Sequence, residues 1–205
     1  MDWNEAIRAL LALAAAYLLG SIPFGYLVVR WWKGIDIREF GSGRTGGTNV
    51  SRAAGYSAAF TSGIADAFKA YVAVRFAQWL GTHDLVIALA GVAAVLGHNY
   101  SIFLRYRGGA GTSTSIGSAA ALWCWNLAIL SATLVITARA TKRASLGSIA
   151  VAMVLLVTVI IRMLLGGDIW TELIHALLTS VLTLWALRPN IERLIRGEER
   201  ELDTS

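Results

Sequence analysis

Residues 6–29, AIRALLALAAAYLLGSIPFGYLVV, form an apolar stretch that contains a single charged side chain, Arg8. The hydrocarbon core of a bilayer is about 30 Å thick, and a helix needs about 20 apolar residues to cross it. This stretch is long enough to do so, and several later segments have a similar length and composition. The sequence therefore predicts a helical membrane protein with several crossings.

The composition of the whole chain favours the same class. Of its 205 residues, 56% are hydrophobic and 15% are charged, and the mean hydropathy is +0.59, well outside the balance of soluble globular domains. No small-residue cleavage site ends the first stretch, so we expect it to be retained rather than removed as a signal peptide. The single cysteine, Cys124, excludes an intrachain disulfide and a thiolate metal cluster, and its apolar neighbours predict a place in the core.

The basic residues predict the orientation of the crossings. Most of the 18 lysines and arginines lie in four connecting segments, whereas the turns at 81–84 and 166–172 have none. By the positive-inside rule, the four basic segments are cytoplasmic and the two turns lie outside. The predicted apolar segments are 6–29, 56–80, 85–104, 112–138, 146–165 and 170–187.

This orientation requires the segment 112–138 to turn back within the membrane. The basic segments before and after it are both predicted to be cytoplasmic, and a single crossing would place them on opposite sides. The polar turn Trp123-Cys124-Trp125-Asn126 is the expected position, since tryptophan suits a membrane interface. We predict one bundle of about seven transmembrane helices in a single domain over 1–205, with the N-terminus outside and the C-terminus cytoplasmic. Two helices, within 112–138, are short, and a re-entrant hairpin is the alternative.

The first polar string, residues 41–49, GSGRTGGTN, predicts an anion site. Its glycines allow close backbone approach, so that successive amides can form a concave anion-binding nest. Thr48 or Asn49 could cap the next helix, whose first amides would then favour a phosphate. The alternative is a solvated loop with ordinary caps. The candidate binding residues here are Gly41, Ser42, Gly43, Arg44, Thr48 and Asn49, with Arg52 close behind.

The second string joins His98 to a glycine-rich loop. His98 could act as a general base near the cytoplasmic mouth, although a lone histidine is more often a hydrogen-bonded structural group. Residues 107–111, RGGAG, provide Arg107, Gly108, Gly109 and Gly111 as a phosphate loop or as an ordinary turn. A lysine would be useful at the position that Ala110 occupies.

Three further polar groups have bland alternatives. Ser145 and Ser148 begin a predicted helix, where capping would explain them. The segment 188–199, with Asn190 and Glu199, is by default a basic helical end on anionic headgroups. Asp66 and Lys69 could pair on one face of a crossing, and we favour an ion-pair staple. No role is assigned to His83 or His175.

Together the polar strings predict one cytoplasmic pocket for phosphorylated ligands, placed against a membrane that can supply or receive an acyl chain. The residues alone thus predict a phosphoryl or acyl transfer site and do not name the substrate. Their order and content resemble the bacterial membrane acyl-phosphate:glycerol-3-phosphate acyltransferases over nearly the whole chain. The matching strings are Gly20-Ser-Ile-Pro23, Gly41 to Arg52, Asp66 with Lys69, Gly97-His98, Arg107 to Gly111, Ser145 to Ser148, and Arg188 to Glu199.

The resemblance implies transfer of a fatty acyl group from acyl phosphate to glycerol 3-phosphate in the bacterial inner membrane, forming lysophosphatidic acid. It implies no cofactor, no metal and no nucleic-acid partner, and leaves the oligomeric state open. By position, Gly108, Gly109 and Gly111 match the glycerol-phosphate loop. The hydroxyl proton would pass to His98 or to a phosphate oxygen of the substrate. The other matching polar residues are Ser42, Arg52, His98, Ser145, Asn190 and Glu199.

The chain departs from the family pattern at several positions. Ala110 stands where a lysine is usual, and Arg44 stands where asparagine is usual. We hypothesise that Arg44 replaces the missing lysine from the neighbouring loop, so that Arg44→Asn abolishes activity and Ala110→Lys partly restores it. The alternatives are a diverged paralogue that binds or acylates another polyol phosphate, and a small organic-phosphate transporter. The remaining departures are Ala70, Arg143 and Leu187.

Overall fold

The computed structural model describes residues 2–199 and 201. Over these residues the chain forms nine α-helices and two short 3-10 helices, Ile37–Glu39 and Ile102–Leu104, with no strand. The all-helical prediction is confirmed. The α-helices are α1 Trp3–Ser21, α2 Phe24–Lys33, α3 Gly47–Ala54, α4 Tyr56–Trp79, α5 Asp84–Asn99, α6 Thr112–Leu122, α7 Trp125–Thr141, α8 Ala144–Leu164 and α9 Trp170–Ile195.

The first predicted crossing, 6–29, is not one continuous helix. It divides into α1 and α2 at Ile22 and Pro23, because proline has no amide hydrogen to donate within a helix. The carbonyl oxygen of Ile22 accepts a hydrogen bond from Lys69 Nζ at 2.6 Å. At the other end of the chain, α9 runs eight residues beyond the predicted limit of 187 and includes Pro189.

The predicted turn within 112–138 is confirmed. Helix α6 has 11 residues and α7 has 17, and they are separated by Trp123 and Cys124. Asn126 closes the turn, since its Nδ2 donates to the carbonyl oxygen of Ala119 at 3.0 Å. The prediction that Cys124 lies in the core is wrong, because its side chain is exposed at this turn.

Small residues allow the helices to pack closely. A β-carbon built on Gly20 of α1 would lie 2.1 Å from the carbonyl oxygen of Ala94 in α5, and one on Gly117 of α6 would lie 1.9 Å from that of Ala67 in α4. A cluster of buried alanines from α1, α4 and α5 continues this packing. Such contacts are typical of helices that associate in a membrane, where close van der Waals packing drives association.

Helix α4 has its polar side inward and its apolar side outward. Asp66 and Lys69 are buried, whereas Phe60, Ile64 and Phe68 are more than half exposed. This arrangement suits a helix whose outer face meets lipid. Four helical segments of the described chain are long and apolar enough to cross a membrane: Trp3–Lys33, Asp84–Leu104, Ala144–Leu164 and Trp170–Ile195.

The helices run between two ends of the bundle, which contain different segments of the chain. We call one end the loop end; it contains residues 34–46, 100–111, 142–145 and 188–199. The opposite end contains residues 79–84, 122–125 and 162–172. Helix α5 lies near the centre, since it packs against α1, α4, α6 and α9. Its last turn therefore reaches the loop end between the other helices.

Candidate active site

The first glycine-rich loop is shaped by Asn49. Its Nδ2 donates to the carbonyl oxygens of Phe40 and Arg44, both at 2.9 Å, and its Oδ1 accepts from the amide of Ser42 at 3.1 Å. The side chain is buried, with 2% exposure. A β-carbon on Gly41 would lie 2.3 Å from that Oδ1. Asn49 thus organises the loop, and its predicted contact with a phosphate stays a prediction.

Helix α3, which follows this loop, has Gly46 as its N-cap and no side-chain cap. The expectation that Thr48 or Asn49 caps the helix is therefore wrong.

Asp36 lies before the first glycine-rich loop in the chain and accepts hydrogen bonds from both the amide and the guanidinium of Arg38. The side-chain hydrogen bond from Arg38 is the main reason why the pKa of Asp36 falls to about 2.

The second glycine-rich loop is fixed to the end of α5. The amides of Gly108 and Gly109 donate to the carbonyl oxygens of Asn99 and His98, both at 3.2 Å. Gly111 has a φ of 86° and is the N-cap of α6. The first amides of a helix have no partner within it. The amides at the start of α6 are therefore better placed to meet an anion than those of Gly108 and Gly109.

The two loops lie against each other. A β-carbon on Gly46 would lie 3.9 Å from both the amide nitrogen of Ala110 and the Cα of Gly109. Arg44 is therefore two residues away from the contact with Ala110, as the hypothesis of a replaced cation requires. Burial lowers the pKa of Arg44, and the positive charges of Arg193 and Arg188 lower it further. The three arginines therefore share one region of the loop end.

His98 lies under the second loop in a buried polar cluster. A β-carbon on Gly109 would be only 2.2 Å from Nε2 of His98, so glycine leaves this nitrogen uncovered. On the other side of the ring, Nδ1 lies 3.1 Å from Lys69 Nζ and 3.4 Å from Asp66 Oδ1. Lys69 and Asp66 are themselves 2.7 Å apart. The predicted ion pair is present, but it also contacts the candidate catalytic histidine.

A second polar group is held by the end of α9. Glu199 accepts hydrogen bonds from Asn190 Nδ2 and Arg193 Nε, both at 3.0 Å, and its side chain is 7% exposed. Burial raises the pKa of Glu199, but hydrogen bonds from Asn190 and Arg193 and the nearby Ser145 hydroxyl outweigh it and lower the pKa overall. Ser145 is buried, and its Oγ has no hydrogen bond of standard geometry within the described residues. These hydrogen bonds fold the segment after α9 back onto the last turns of that helix.

The remaining candidates are near these groups and are less constrained. Ser42 and Arg107 are exposed, and Thr48 and Arg52 are half-buried. Ser148 donates to the carbonyl oxygen of Ala144 in its own helix at 3.2 Å. Their predicted roles stay predictions. Among the described residues, no group of three or more His, Cys, Asp or Glu side chains is arranged to hold a metal ion.

The loop end thus combines helix-start amides, several guanidinium groups and a histidine nitrogen next to a glycine. Cations and oriented amides bind phosphate, and a positioned imidazole can donate or accept a proton. A bundle with lipid-facing apolar helices and such a site at one end belongs to the class of membrane enzymes that act on phosphorylated, lipid-linked substrates.

Comparison with known proteins specifies the family. The profile of the family described as Glycerol-3-phosphate acyltransferase matches residues 10–197. A glycerol-3-phosphate acyltransferase of Prochlorococcus marinus is 38% identical over 195 residues, which cover 95% of this chain and 98% of the relative. One of Thermus thermophilus is 38% identical over 200 residues, with 95% of each chain covered.

Solved structures agree with this result. The crystal structure of PlsY, an integral membrane glycerol 3-phosphate acyltransferase, in its glycerol 3-phosphate form superposes with a TM-score of 0.86, 30% identity and 96% coverage of each chain. Its lysophosphatidic acid form gives a TM-score of 0.83 at 30% identity, with 94% of each chain covered. The chain belongs to the glycerol-3-phosphate acyltransferase family and is an acyltransferase, as the sequence motifs indicated.

Proposed function

We propose that this chain transfers a fatty acyl group from acyl phosphate to a hydroxyl of glycerol 3-phosphate and releases lysophosphatidic acid and inorganic phosphate. The observation that supports it most directly is the meeting of both glycine-rich loops beside His98 Nε2, next to the region shared by Arg44, Arg188 and Arg193. Family membership supports the acceptor, since relatives are glycerol-3-phosphate acyltransferases. The use of acyl phosphate as donor rests on the resemblance of the sequence motifs to the acyl-phosphate:glycerol-3-phosphate acyltransferases.

The reaction needs positioning more than new bonds to the protein. The hydroxyl oxygen bonds to the acyl carbonyl carbon, the bond from that carbon to the phosphate oxygen breaks, and the hydroxyl proton ends on the released phosphate. Because an acyl phosphate is already activated, aligning the hydroxyl and stabilising developing charge supply most of the rate. No covalent intermediate on the protein is required.

Each part of the loop end has a role in this proposal. The first amides of α6, together with Arg107, bind the phosphate of glycerol 3-phosphate. Arg44 adds the charge that Ala110 lacks. Ser42 lies on the first loop and Arg52 in α3, the helix that follows it; the donor phosphate would bind there, and His98 contacts the reacting groups. Glu199 and Asn190 hold Arg193 at the rim.

We also propose the topology that the basic segments predict. Seven crossings in one domain over 1–205 would place the N-terminus outside and put the loop end and the C-terminus in the cytoplasm of a bacterial inner membrane. The separation of α6 from α7 supports this count, because it returns the chain to the same side. Cysteines introduced singly at each end, labelled by a membrane-impermeant reagent in intact cells, test it. The parent for these variants is Cys124→Ser.

The activity is tested with the full chain purified in detergent and supplied with acyl phosphate and glycerol 3-phosphate. We expect phosphate release that depends on glycerol 3-phosphate, with lysophosphatidic acid formed in equal amount. Other polyol phosphates are assayed in parallel, because the Ala110 and Arg44 departures favour a changed acceptor as the second candidate. Binding without turnover for every acceptor would contradict the proposed activity.

A further inference from the structure

The ammonium group of Lys69 contacts three acceptor atoms, and its contacts with Ile22 and His98 have standard hydrogen-bond geometry, whereas its ion pair with Asp66 does not. It lies 2.7 Å from Asp66 Oδ1, 2.6 Å from the carbonyl oxygen of Ile22 and 3.1 Å from His98 Nδ1. A lysine ammonium has three hydrogens to donate and accepts none. The Ile22 carbonyl lies in the break between α1 and α2, where it accepts from the amide of Phe24 at 3.2 Å as well as from Lys69.

These contacts determine which nitrogen of His98 carries the proton. A neutral imidazole has one protonated nitrogen and one acceptor nitrogen, and the hydrogen bond at one nitrogen sets the state of the other. With the donating ammonium at 3.1 Å, Nδ1 is the acceptor. A hydrogen on Nδ1 would point at a cation.

The competing arrangement is an acid–histidine dyad, in which Nδ1 donates to a carboxylate and Nε2 is free to accept a proton. The nearest carboxylate oxygen is Asp66 Oδ1, at 3.4 Å from Nδ1, beyond the usual range of about 2.7–3.2 Å for such bonds. That oxygen forms an ion pair with Lys69 at 2.7 Å, and neither of its contacts has standard hydrogen-bond geometry within the described residues. The geometry therefore favours Lys69 over Asp66 as the partner of Nδ1.

We propose that Lys69 is a positioning residue that holds His98 with its proton on Nε2, so that His98 acts as a hydrogen-bond donor in the site and not as the general base. The tautomer stands on geometry alone, whereas its catalytic use rests on the proposed function. Nε2 lies next to Gly109, where a β-carbon would come within 2.2 Å of it, so only a residue without a side chain fits there. A donor there stabilises negative charge on a phosphate or carbonyl oxygen of the substrate.

The tautomer is measured directly by ¹⁵N NMR of the full chain, labelled at histidine and reconstituted in nanodiscs. The chain has three histidines, and subtraction of the His98→Asn spectrum identifies the signals of His98. We expect Nε2 to be protonated and Nδ1 to be unprotonated and hydrogen-bonded at neutral pH. A proton on Nδ1 would overturn the proposal. Because this measurement needs no turnover, it is independent of the proposed function.

The catalytic part is tested by comparing Lys69→Met with wild type. If Lys69 sets the tautomer, its removal lets Nδ1 donate to Asp66 and turns Nε2 into an acceptor. We then expect kcat to fall by about 10²-fold or more. The NMR spectrum should show Nδ1 protonated and Nε2 unprotonated, the reverse of wild type. If His98 and Asp66 instead form an acid–histidine dyad, their hydrogen bond would remain in Lys69→Met, and kcat would change little. His83→Gln, at the opposite end, is the control for histidine substitution. If Lys69→Met does not fold, the wild-type spectrum still decides the tautomer.

Discussion

Arg162, at the opposite end of the bundle, and Arg44, at the loop end, have different surroundings: Arg162 is paired with a carboxylate, as Arg38 and Arg193 are at the loop end, whereas Arg44 has no such pair within the described residues. At the opposite end, both terminal nitrogens of Arg162 donate to the Glu172 carboxylate, and its guanidinium stacks on Trp123 at 4.4 Å. At the loop end, Arg44 is half-buried and forms no side-chain hydrogen bond within the described residues. Arg188 stacks on Trp185 at 4.4 Å, and no carboxylate of the described residues pairs with it.

This difference separates a structural arginine from a functional one. A half-buried cation with like charges nearby is unfavourable unless an anion joins it, because burial and repulsion both oppose the charge. The region around Arg44 is therefore suited to receive an anion. Arg162 already has its anion in Glu172. We accordingly expect substitution of Arg44 to lower activity, and substitution of Arg162 to lower stability.

The largest effect is expected at His98. In His98→Asn, the amide oxygen can still accept from Lys69, but the donor near Gly109 is lost, and kcat should fall by about 10²- to 10³-fold. In His98→Gln the longer amide reaches the position of Nε2 and can donate, so we expect a smaller loss. Steady-state kinetics with both substrates measure the two variants. Equal losses of kcat in the two variants would indicate that His98 acts as a general base, since neither amide side chain can take up a proton.

The next effect is expected at Arg44. Arg44→Asn removes a charge-assisted bond to phosphate, and such bonds contribute about 1.5–3 kcal/mol, so kcat/KM should fall by about 10- to 10²-fold, a smaller loss than the abolished activity that the sequence hypothesis predicts. Most of the change should lie in the KM for one phosphorylated substrate. Initial rates measured against the concentration of each substrate, with the other substrate saturating, show which KM has changed.

Ala110→Lys in the Arg44→Asn background tests the replacement hypothesis. The lysine would return a cation next to the first loop, and we expect part of the lost kcat/KM to be recovered. Arg139→Asn is the matched control, since it removes an exposed arginine from the last turn of α7 at the same end. An unaffected Arg44→Asn enzyme, or an equal loss in Arg139→Asn, would contradict the hypothesis.

Much of the fold could be predicted from the sequence. Apolar length located most helices, and the charge pattern around 112–138 required the turn that lies at Trp123 and Cys124. The prediction failed where apolar length gives no information. Pro23 divides a stretch that the sequence predicts as one crossing, and α9 continues through Pro189 to Ile195.

The site was only partly predictable. Its residues stood out because glycine, arginine and histidine are unusual between lipid-spanning segments, but their contacts depend on packing between distant helices. His98 and Lys69 are 29 residues apart, and only the fold brings them together. No local pattern shows that Gly108 and Gly109 donate to the end of α5, or that Asn49 holds its own loop.

A smaller effect is expected at Glu199, which positions other groups at the loop end. Glu199→Gln keeps an acceptor for Asn190 but loses the charge that holds Arg193, and we expect a loss of about tenfold in kcat/KM. The folded chain lowers the pKa of Glu199. Its ionised form therefore adds stability above the unfolded pKa, and this contribution is lost as the pH falls through the lower folded value.

Thermal melting at neutral and acidic pH measures that contribution. The difference in Tm between wild type and Glu199→Gln should be largest at neutral pH. It should become smaller at acidic pH, below the usual pKa of glutamate. A gap that widens on acidification would contradict the assigned hydrogen bonds.

The smallest effect on activity is expected at Arg162, although its effect on stability should be clear. Arg162→Met leaves Glu172, whose side chain is 14% exposed, without its partner, and loss of one member of a buried pair is more costly than loss of both. We expect Tm in detergent to fall by several degrees while kcat/KM stays within about twofold of wild type. Arg162→Met with Glu172→Gln should recover part of the Tm, because no uncompensated charge is left. If Arg162→Met instead lowered kcat/KM as strongly as Arg44→Asn, then the division between a binding end and a structural end of the bundle would be wrong.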